Sequence, residues 1–418
     1  MSTENFQVAI VGAGPAGLLL AIRLHQAEVS FSIFEGRTRE QLLQQQGRSL
    51  DLHPRSGLAA LDACGLKSAV FAHARQEANG VTVTDKRLQS WFSYPGGSRN
   101  PHVDREDLIQ LLVDAVPAEN FRWNHKLERV DQDNSLLFRD GSRSEPFSFV
   151  VGADGAWSRV RAALSPRLPE YTGIAGQTFV VTNRSALDSP ILRNMPRTGS
   201  VFSFSDKKAF IVHYMSKDRA SVTLFQTDYK PPDRGAEIDP VDEIKRTRRL
   251  YEDWDVQFVR LLEHVDPASM ESWQLHMMPL DFDWPVNPCC IVIGDAASLR
   301  SPFGGEGVNL ALQDAFELSG TLITAAKAPA NKRQQILEQE VSKFQRTMLD
   351  RGHLAQKLAK DMQAAMMDSS TAPRGTVADW VMQRARYEFS FKSKWWRMML
   401  PILDIGVHAY YAGVRLLR

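Results

Sequence analysis

The earliest residues able to do chemistry are three glycines. Gly12, Gly14 and Gly17 stand in the run Gly-Ala-Gly-Pro-Ala16-Gly, directly after the short apolar segment Gln7–Val11. The apolar face of a helix follows through Leu18, Leu19, Ile22 and Leu24. Strand, glycine turn and helix in this order form a phosphate cradle. Gly12 permits the sharp turn, Gly14 lets a pyrophosphate reach the backbone, and Gly17 lets helix and strand pack closely. Free N–H groups at the helix start hold phosphate oxygens. A second strand signal over 29–34 ends in Glu35, which lies 18 residues beyond Gly17. A carboxylate there accepts from ribose hydroxyls. Ala16 and Arg37 are grouped with this set. The residues predict a bound dinucleotide and leave NAD, NADP and FAD open.

Two further strand–turn–helix motifs follow. The first covers 149–161 and carries Asp154 and Gly155. The second covers 291–309, with Gly294, Asp295, Pro302, Gly304, Gly305, Gly307, Val308 and Asn309. Asp295 is delivered by a strand to a loop, where its carboxylate can fix a polyol hydroxyl. The loop from Pro302 to Gly305 is short-sided at Gly304 and Gly305, so a flat ring can lie on its backbone there. The helix behind it aims its positive end at that ring and stabilises negative charge there.

Together the three motifs resemble the signatures of the class A flavoprotein monooxygenases, the aromatic hydroxylase family. The closest likeness is to the tetracycline-inactivating flavin monooxygenases. Their pattern recurs in residues 47–57 (Gly-Arg-Ser-Leu-Asp-Leu-His-Pro-Arg-Ser-Gly), in 103–108 (Val-Asp-Arg-Glu-Asp-Leu), and in Asp253-Trp254-Asp255 of an expected mid-chain helix. The likeness spans about residues 5–360 and does not reach the last ~50.

The resemblance implies non-covalent FAD, NADPH or NADH as a transient donor near Asp154 and Arg159, and O2 as co-substrate. The implied reaction is hydroxylation or epoxidation of an aromatic or polycyclic small molecule through a flavin C4a-hydroperoxide. It adds Arg48 and Arg105 to the flavin contacts. Two positions depart from the pattern: Ser298 where His is common, and Glu306 where Gln is common. A Glu306 carboxylate facing the ring would oppose a flavin anion, so it is expected to face outward. An oxidase or reductase of the same fold, or a peroxide-releasing flavin module, is the alternative. No Trp-x-Trp-x-Ile-Pro pattern of a halogenase is present among the nine tryptophans.

The elements that must position these residues give an α/β chain. It is a Rossmann-like FAD-binding domain of the GR2 type with an inserted β-sheet substrate domain and C-terminal helices. The FAD-binding domain is read at 1–70, 100–168 and 284–320. The substrate domain is read at 71–99, 169–283 and 321–360, with a helical segment at 361–418. Period-two alternation predicts strands over 176–183, 200–205, 209–215 and 221–227. Residues 242–265 read as one amphipathic helix, and 331–367 as a long one. Substrate-side candidates are His213, Tyr214, Phe225 and Phe303. His213 and Tyr214 are neighbours in a strand and so face opposite ways. No catalytic base is assigned, and no metal is expected.

Composition bounds the rest. The chain has 418 residues, 43% hydrophobic and 24% charged, with a net charge of +1, so a basic footprint for nucleic acid is missing. Three cysteines, two of them adjacent, fit a reducing compartment, and the chain is read as cytoplasmic. The uncharged stretch 5–22 lacks the positive start and cleavage pattern of a signal peptide. From Arg384 onward, seven Lys/Arg face two acids among interleaved Trp, Met and Tyr. That segment suits either peripheral contact with a membrane or packing against the body. The expected assembly is a monomer or weak dimer.

Overall fold

The computed structural model describes residues 6–44, 49–75, 80–96, 100–182, 199–228 and 238–417. Its first layer is a five-stranded parallel sheet. The spatial order is Cys290–Val292, Phe149–Gly152, Gln7–Val11, Ser30–Phe34 and Phe121–Arg122. Each of the three glycine motifs therefore follows one of three adjacent strands, and their turns meet at one sheet edge. A parallel sheet covered on both faces needs continuous apolar strands. Val8, Ala9, Ile10, Phe149, Val150 and Val151 are accordingly buried. Helices Pro15–Gln26 and Gly307–Lys327 share one core on this sheet through Leu18, Leu19, Leu312 and Leu318.

A second sheet has seven strands, in the order Val265–Met277, Glu170–Val181, Arg219–Thr227, Lys208–Met215, Gly199–Ser205, Gly80–Thr84 and Ser90–Tyr94. Alternation gives it two distinct faces. Phe210, Val212 and Tyr214 point to a layer holding Tyr251, Trp254 and Phe258. Ala209, Ile211, Phe204 and Phe225 point the other way, toward Phe303, Met366, Met367 and Trp380.

Two sequence expectations change. Residues 242–265 form two helices, Pro240–Leu250 and Val256–Leu261, and Val265 already begins a strand. Asp253-Trp254-Asp255 lies in the break, because the Asp255 carboxylate accepts the Gln257 N–H at 2.9 Å and starts the second helix. The stretch 321–360 does not pack as part of the substrate domain throughout. Leu322, Leu337, Val341, Phe344, Met348 and Leu349 belong to the nucleotide-domain core. The long helix Ala330–Gln363 thus spans both layers and ends in a π-helical turn, Ala364–Asp368. The C-terminal segment, for which packing against the body was one of the two expectations, returns to the substrate side. Helix Val377–Ser390 sets Trp380 edge-on to Phe92, with ring centroids 5.5 Å apart.

Candidate functional site

The nucleotide turn uses its glycines for different reasons. A Cβ at Gly12, whose φ is +103°, would lie 2.4 Å from the Ala153 carbonyl oxygen, and one at Gly17 would lie 2.0 Å from that of Gly12. Both are excluded by the fold itself. At Gly14 nothing is nearer than 3.9 Å, so a side chain there would enter open space. Helix Pro15–Gln26 begins at Gly14 with no side-chain cap. Its first N–H groups are left for an anion.

Glu35 is buried at the end of its strand. Its carboxylate accepts from the Ala13 N–H at 2.9 Å, the Arg37 N–H at 3.0 Å and the Arg37 Nε–H at 2.8 Å. Burial pushes the carboxyl up, but the Arg37 hydrogen bond and charge outweigh it and hold it below the usual range. Arg37 thus orients the acid that sequence reasoning assigned to a ribose.

The 291–309 motif makes a flat floor. Gly294 has a φ of +60° and donates its N–H to the buried Asp314 at 3.2 Å. Asp314 is held in turn by Arg351 at 2.8 Å. Asp295 beside it is exposed and makes no hydrogen bond among the described residues. Pro302–Gly304 form a short 3-10 turn, and Gly305 follows with a φ of +67°. Neither Gly305 nor Gly307 has any atom within 4 Å of an added Cβ. Helix Gly307–Lys327 starts there without a side-chain cap. Val308 is half-buried at its start. Asn309 clamps the floor to the segment before it: its Oδ1 accepts the His53 N–H at 2.7 Å and its Nδ2 donates to the Asp51 carbonyl at 2.8 Å. At Ser298, a Cβ built on Gly352 would lie 2.9 Å from the serine Cβ, so a side chain larger than serine would have no room toward that helix.

Glu306 does not face outward. It is 4% exposed, with Oε2 3.3 Å from His53 Nδ1 and Oε1 2.8 Å from Arg384 Nη1. The Arg384 guanidinium also donates to the Gly304 carbonyl at 3.0 Å. On its other side His53 Nε2 meets Asp51 at 3.1 Å. Burial alone would lower the His53 pKa, but Asp51 and Glu306 together push it up to about 9. His53 is therefore charged at neutral pH, and the half-buried Asp51 and buried Glu306 carboxylates alternate with two cations. The charge that would oppose a flavin anion is neutralised in place, which is why the carboxylate tolerates the interior.

The 149–161 motif turns partly inward. Asp154 Oδ2 accepts the Arg159 N–H at 2.7 Å and the Val160 N–H at 3.4 Å. Its Oδ1 is buried with no partner among the described residues. Gly155, with a φ of +74°, leaves its outer face open. Buried Arg161 braces the loop through the Ala296 and Ala156 carbonyls at 2.9 and 2.7 Å. Arg48 lies outside the described residues. Arg105 opens helix Arg105–Asp114 and is half-buried; Asp104 before it is fully buried against Arg75 at 2.7 Å.

The four substrate-side candidates separate. Phe225 and Phe303 meet with ring centroids 5.7 Å apart, joining sheet to floor loop. His213 is on the same face, its Nδ1 2.6 Å from Ser200 Oγ. Burial, with His102 and Arg75 near, pushes its pKa down to about 4, so it is neutral. Tyr214 belongs to the opposite, helix-covered face and does not join them. Met366, Met367, Trp380 and Arg384 on the site side had no local sequence signal. Asp314 could have been found as the acid five positions after Asn309 on one helix, and His53 lay within an already noted run.

An open cradle at Gly14, bare backbone at Gly305 and Gly307, two uncapped helix starts, an unpartnered Asp295 and an orphaned Asp154 oxygen fit a long dinucleotide ending in a flat ring. Among the described residues no His, Cys, Asp and Glu cluster could hold a metal.

Comparison with known proteins agrees with this geometry. The FAD binding domain family matches residues 5–351. Monooxygenase asqM of Emericella nidulans is 30% identical, covering 88% of this chain and 99% of its own. The 3-amino-4-hydroxybenzoate 2-monooxygenase of Streptomyces cremeus is 26% identical over 80% of this chain and 83% of its own. In fold, 2,6-dihydroxypyridine-3-hydroxylase from Arthrobacter nicotinovorans superposes with a TM-score of 0.74 at 17% identity, covering 88% of this chain and 94% of that one. Arg384 and Trp380 lie beyond the matched domain.

Proposed function

The chain belongs to the FAD binding domain family of FAD-dependent monooxygenases, and from that premise we propose that it hydroxylates or epoxidises an aromatic or polycyclic small molecule, using NADPH or NADH and O2. The observation that carries the substrate class is the apolar sheet face holding Ile211 and Phe225, set directly over the Pro302–Gly307 floor through Phe303. A flat apolar ligand between them would be held against the ring. The aromatic substrate in the name of the Streptomyces cremeus relative supports the same class.

FAD, when bound, supplies the electron transfer and oxygen activation that side chains cannot. The chain's residues bind, orient and exclude water. The bare N–H groups after Gly14 would take the pyrophosphate, with Glu35 and Arg37 on the ribose side. Asp295 would hold a ribityl hydroxyl. The uncapped start of helix Gly307–Lys327 would stabilise negative charge on the ring. Asp154 and Gly155, which follow directly beside the Gly12 turn, and Arg105 are assigned to the same cofactor. Neutral His213 offers a hydrogen bond and no charge at the substrate face. Phe225, Phe303 and Trp380 keep that face dry, which suppresses wasteful peroxide release. We place the enzyme in the cytoplasm as a monomer or weak dimer, with peripheral membrane contact through its C-terminal segment.

The test is turnover in labelled O2 with a screened aromatic substrate, followed by mass spectrometry of the product. One labelled oxygen atom in the product, with NAD(P)H oxidation stimulated by substrate, is the expected result. NAD(P)H consumption with only peroxide or a reduced, unlabelled product would replace this reading with the oxidase or reductase one.

A further inference from the structure

The last helix of the described chain is apolar on both sides. Helix Leu400–Leu417 packs inward through Tyr411, Val407 and Val414 against Trp91, Val377 and Ala378. It is pinned by Arg386, which donates to Asp404 at 3.0 Å. Its outward side carries Ile402, Ile405, Ala409 and Leu416, spaced as one helical stripe. Ile402 is 63%, Ile405 73% and Leu416 88% exposed. A helix that only covers a protein surface shows charge on its outer face; this one shows none. Just before it, helix Lys394–Met398 exposes Trp395 and Trp396, at 59% and 46%.

Charge decides which partner fits. Lys392, Lys394 and Arg397 surround the two tryptophans and make no ion pair among the described residues. Asp404 is the only acid in 391–417, and it is already held by Arg386. A second copy docked on this stripe by two-fold symmetry would bring uncompensated cations to a face with no acid to receive them. An anionic lipid surface supplies the missing negative charge, takes the apolar stripe at the headgroup boundary and suits tryptophan. No helix among the described residues is long and apolar enough to cross a membrane, so the geometry is that of a helix lying in the interface.

We propose that Lys394–Met398 and the outer stripe of Leu400–Leu417 dock the protein on anionic bilayers. This gives residues and a lipid class to the peripheral contact named above. It is independent of the flavin chemistry, so vesicle binding can fail while labelled oxygen still enters product.

The FAD-loaded full chain is tested by flotation with phosphatidylcholine vesicles and with vesicles also containing phosphatidylserine. Binding should require phosphatidylserine and fall steeply with added salt. Each of Lys394→Glu and Arg397→Glu should weaken it at least about fivefold. The pair Trp395→Ser and Ile405→Ser should abolish it at unchanged FAD content and unchanged turnover of a soluble substrate. The proposal is overturned if the wild-type chain stays unbound on anionic vesicles. It is equally overturned if sedimentation shows a dimer that Ile405→Ser dissolves while vesicle binding persists.

Discussion

Arg384 donates to the Glu306 carboxylate at 2.8 Å, joining the C-terminal helix Val377–Ser390 to the start of helix Gly307–Lys327, 78 positions apart in sequence. The same guanidinium holds the Gly304 carbonyl, so one residue outside the matched domain fixes both the charge and the backbone of the floor.

Removing that cation should therefore be costly only while the acid is present. Arg384→Met should destabilise the FAD-loaded protein by roughly 1.5–3 kcal/mol, the range for a hydrogen bond to a charged group. In a Glu306→Gln background the same change should cost much less. Thermal unfolding of the four proteins of this cycle measures the coupling. Equal losses in both backgrounds would show that the pair does not act as a unit.

Two histidines set opposite limbs of the pH–stability curve. His53 is raised from 6.5 to about 9, so its contribution is fully present below about 6.5 and is lost as pH rises through about 9. His213 is lowered from 6.5 to about 4, so its contribution is present above about 6.5 and is lost as pH falls through about 4. His53→Gln should flatten the alkaline limb and His213→Gln the acid limb, each by a few kcal/mol at most. Denaturant unfolding across pH checks the assignment. A His53→Gln variant with an unchanged alkaline limb would contradict a charged His53.

The glycines of the first turn should separate binding from folding. Gly14→Val places its side chain in open space, so the protein should remain folded and lose its yellow chromophore. Gly17→Val drives a Cβ to within 2.0 Å of a carbonyl oxygen and should lose soluble protein. Absorbance of the purified variants reports FAD content. Full occupancy in Gly14→Val would remove the pyrophosphate from this turn.

Asp295→Ala should leave apoprotein stability unchanged, since the carboxylate is exposed and makes no hydrogen bond among the described residues. FAD affinity should fall about tenfold to a hundredfold, the equivalent of one charge-assisted hydrogen bond. Titration of apoprotein with FAD measures it, and an unchanged Kd would sink the ribityl role.

The two neighbours in strand Lys208–Met215 should differ in kinetics. His213→Ala should change KM for the aromatic substrate. Tyr214→Phe, on the opposite face, should leave KM unaltered. Equal effects would mean that the substrate does not lie on the Phe225 face.

What could be read from the residues alone was local. Glycine tolerance, strand alternation and helix starts arise from contacts a few positions apart. For that reason the three motifs, a bound dinucleotide and most strands of the second sheet were legible in the sequence. The single helix expected over 242–265 failed because Asp255 supplies a cap as good as any helix continuation. The direction of Glu306 was misread for a deeper reason. Alone at a helix start, a carboxylate belongs in water. It can be buried only because His53, 253 positions earlier, and Arg384, 78 later, arrive with charge. That Phe225 and Phe303 meet over the floor loop, and that helix Val377–Ser390 reaches the sheet through Trp380, likewise depended on chain segments meeting in space. The desolvation of a charge is decided by its neighbours after folding, and no spacing rule along the chain carries that information.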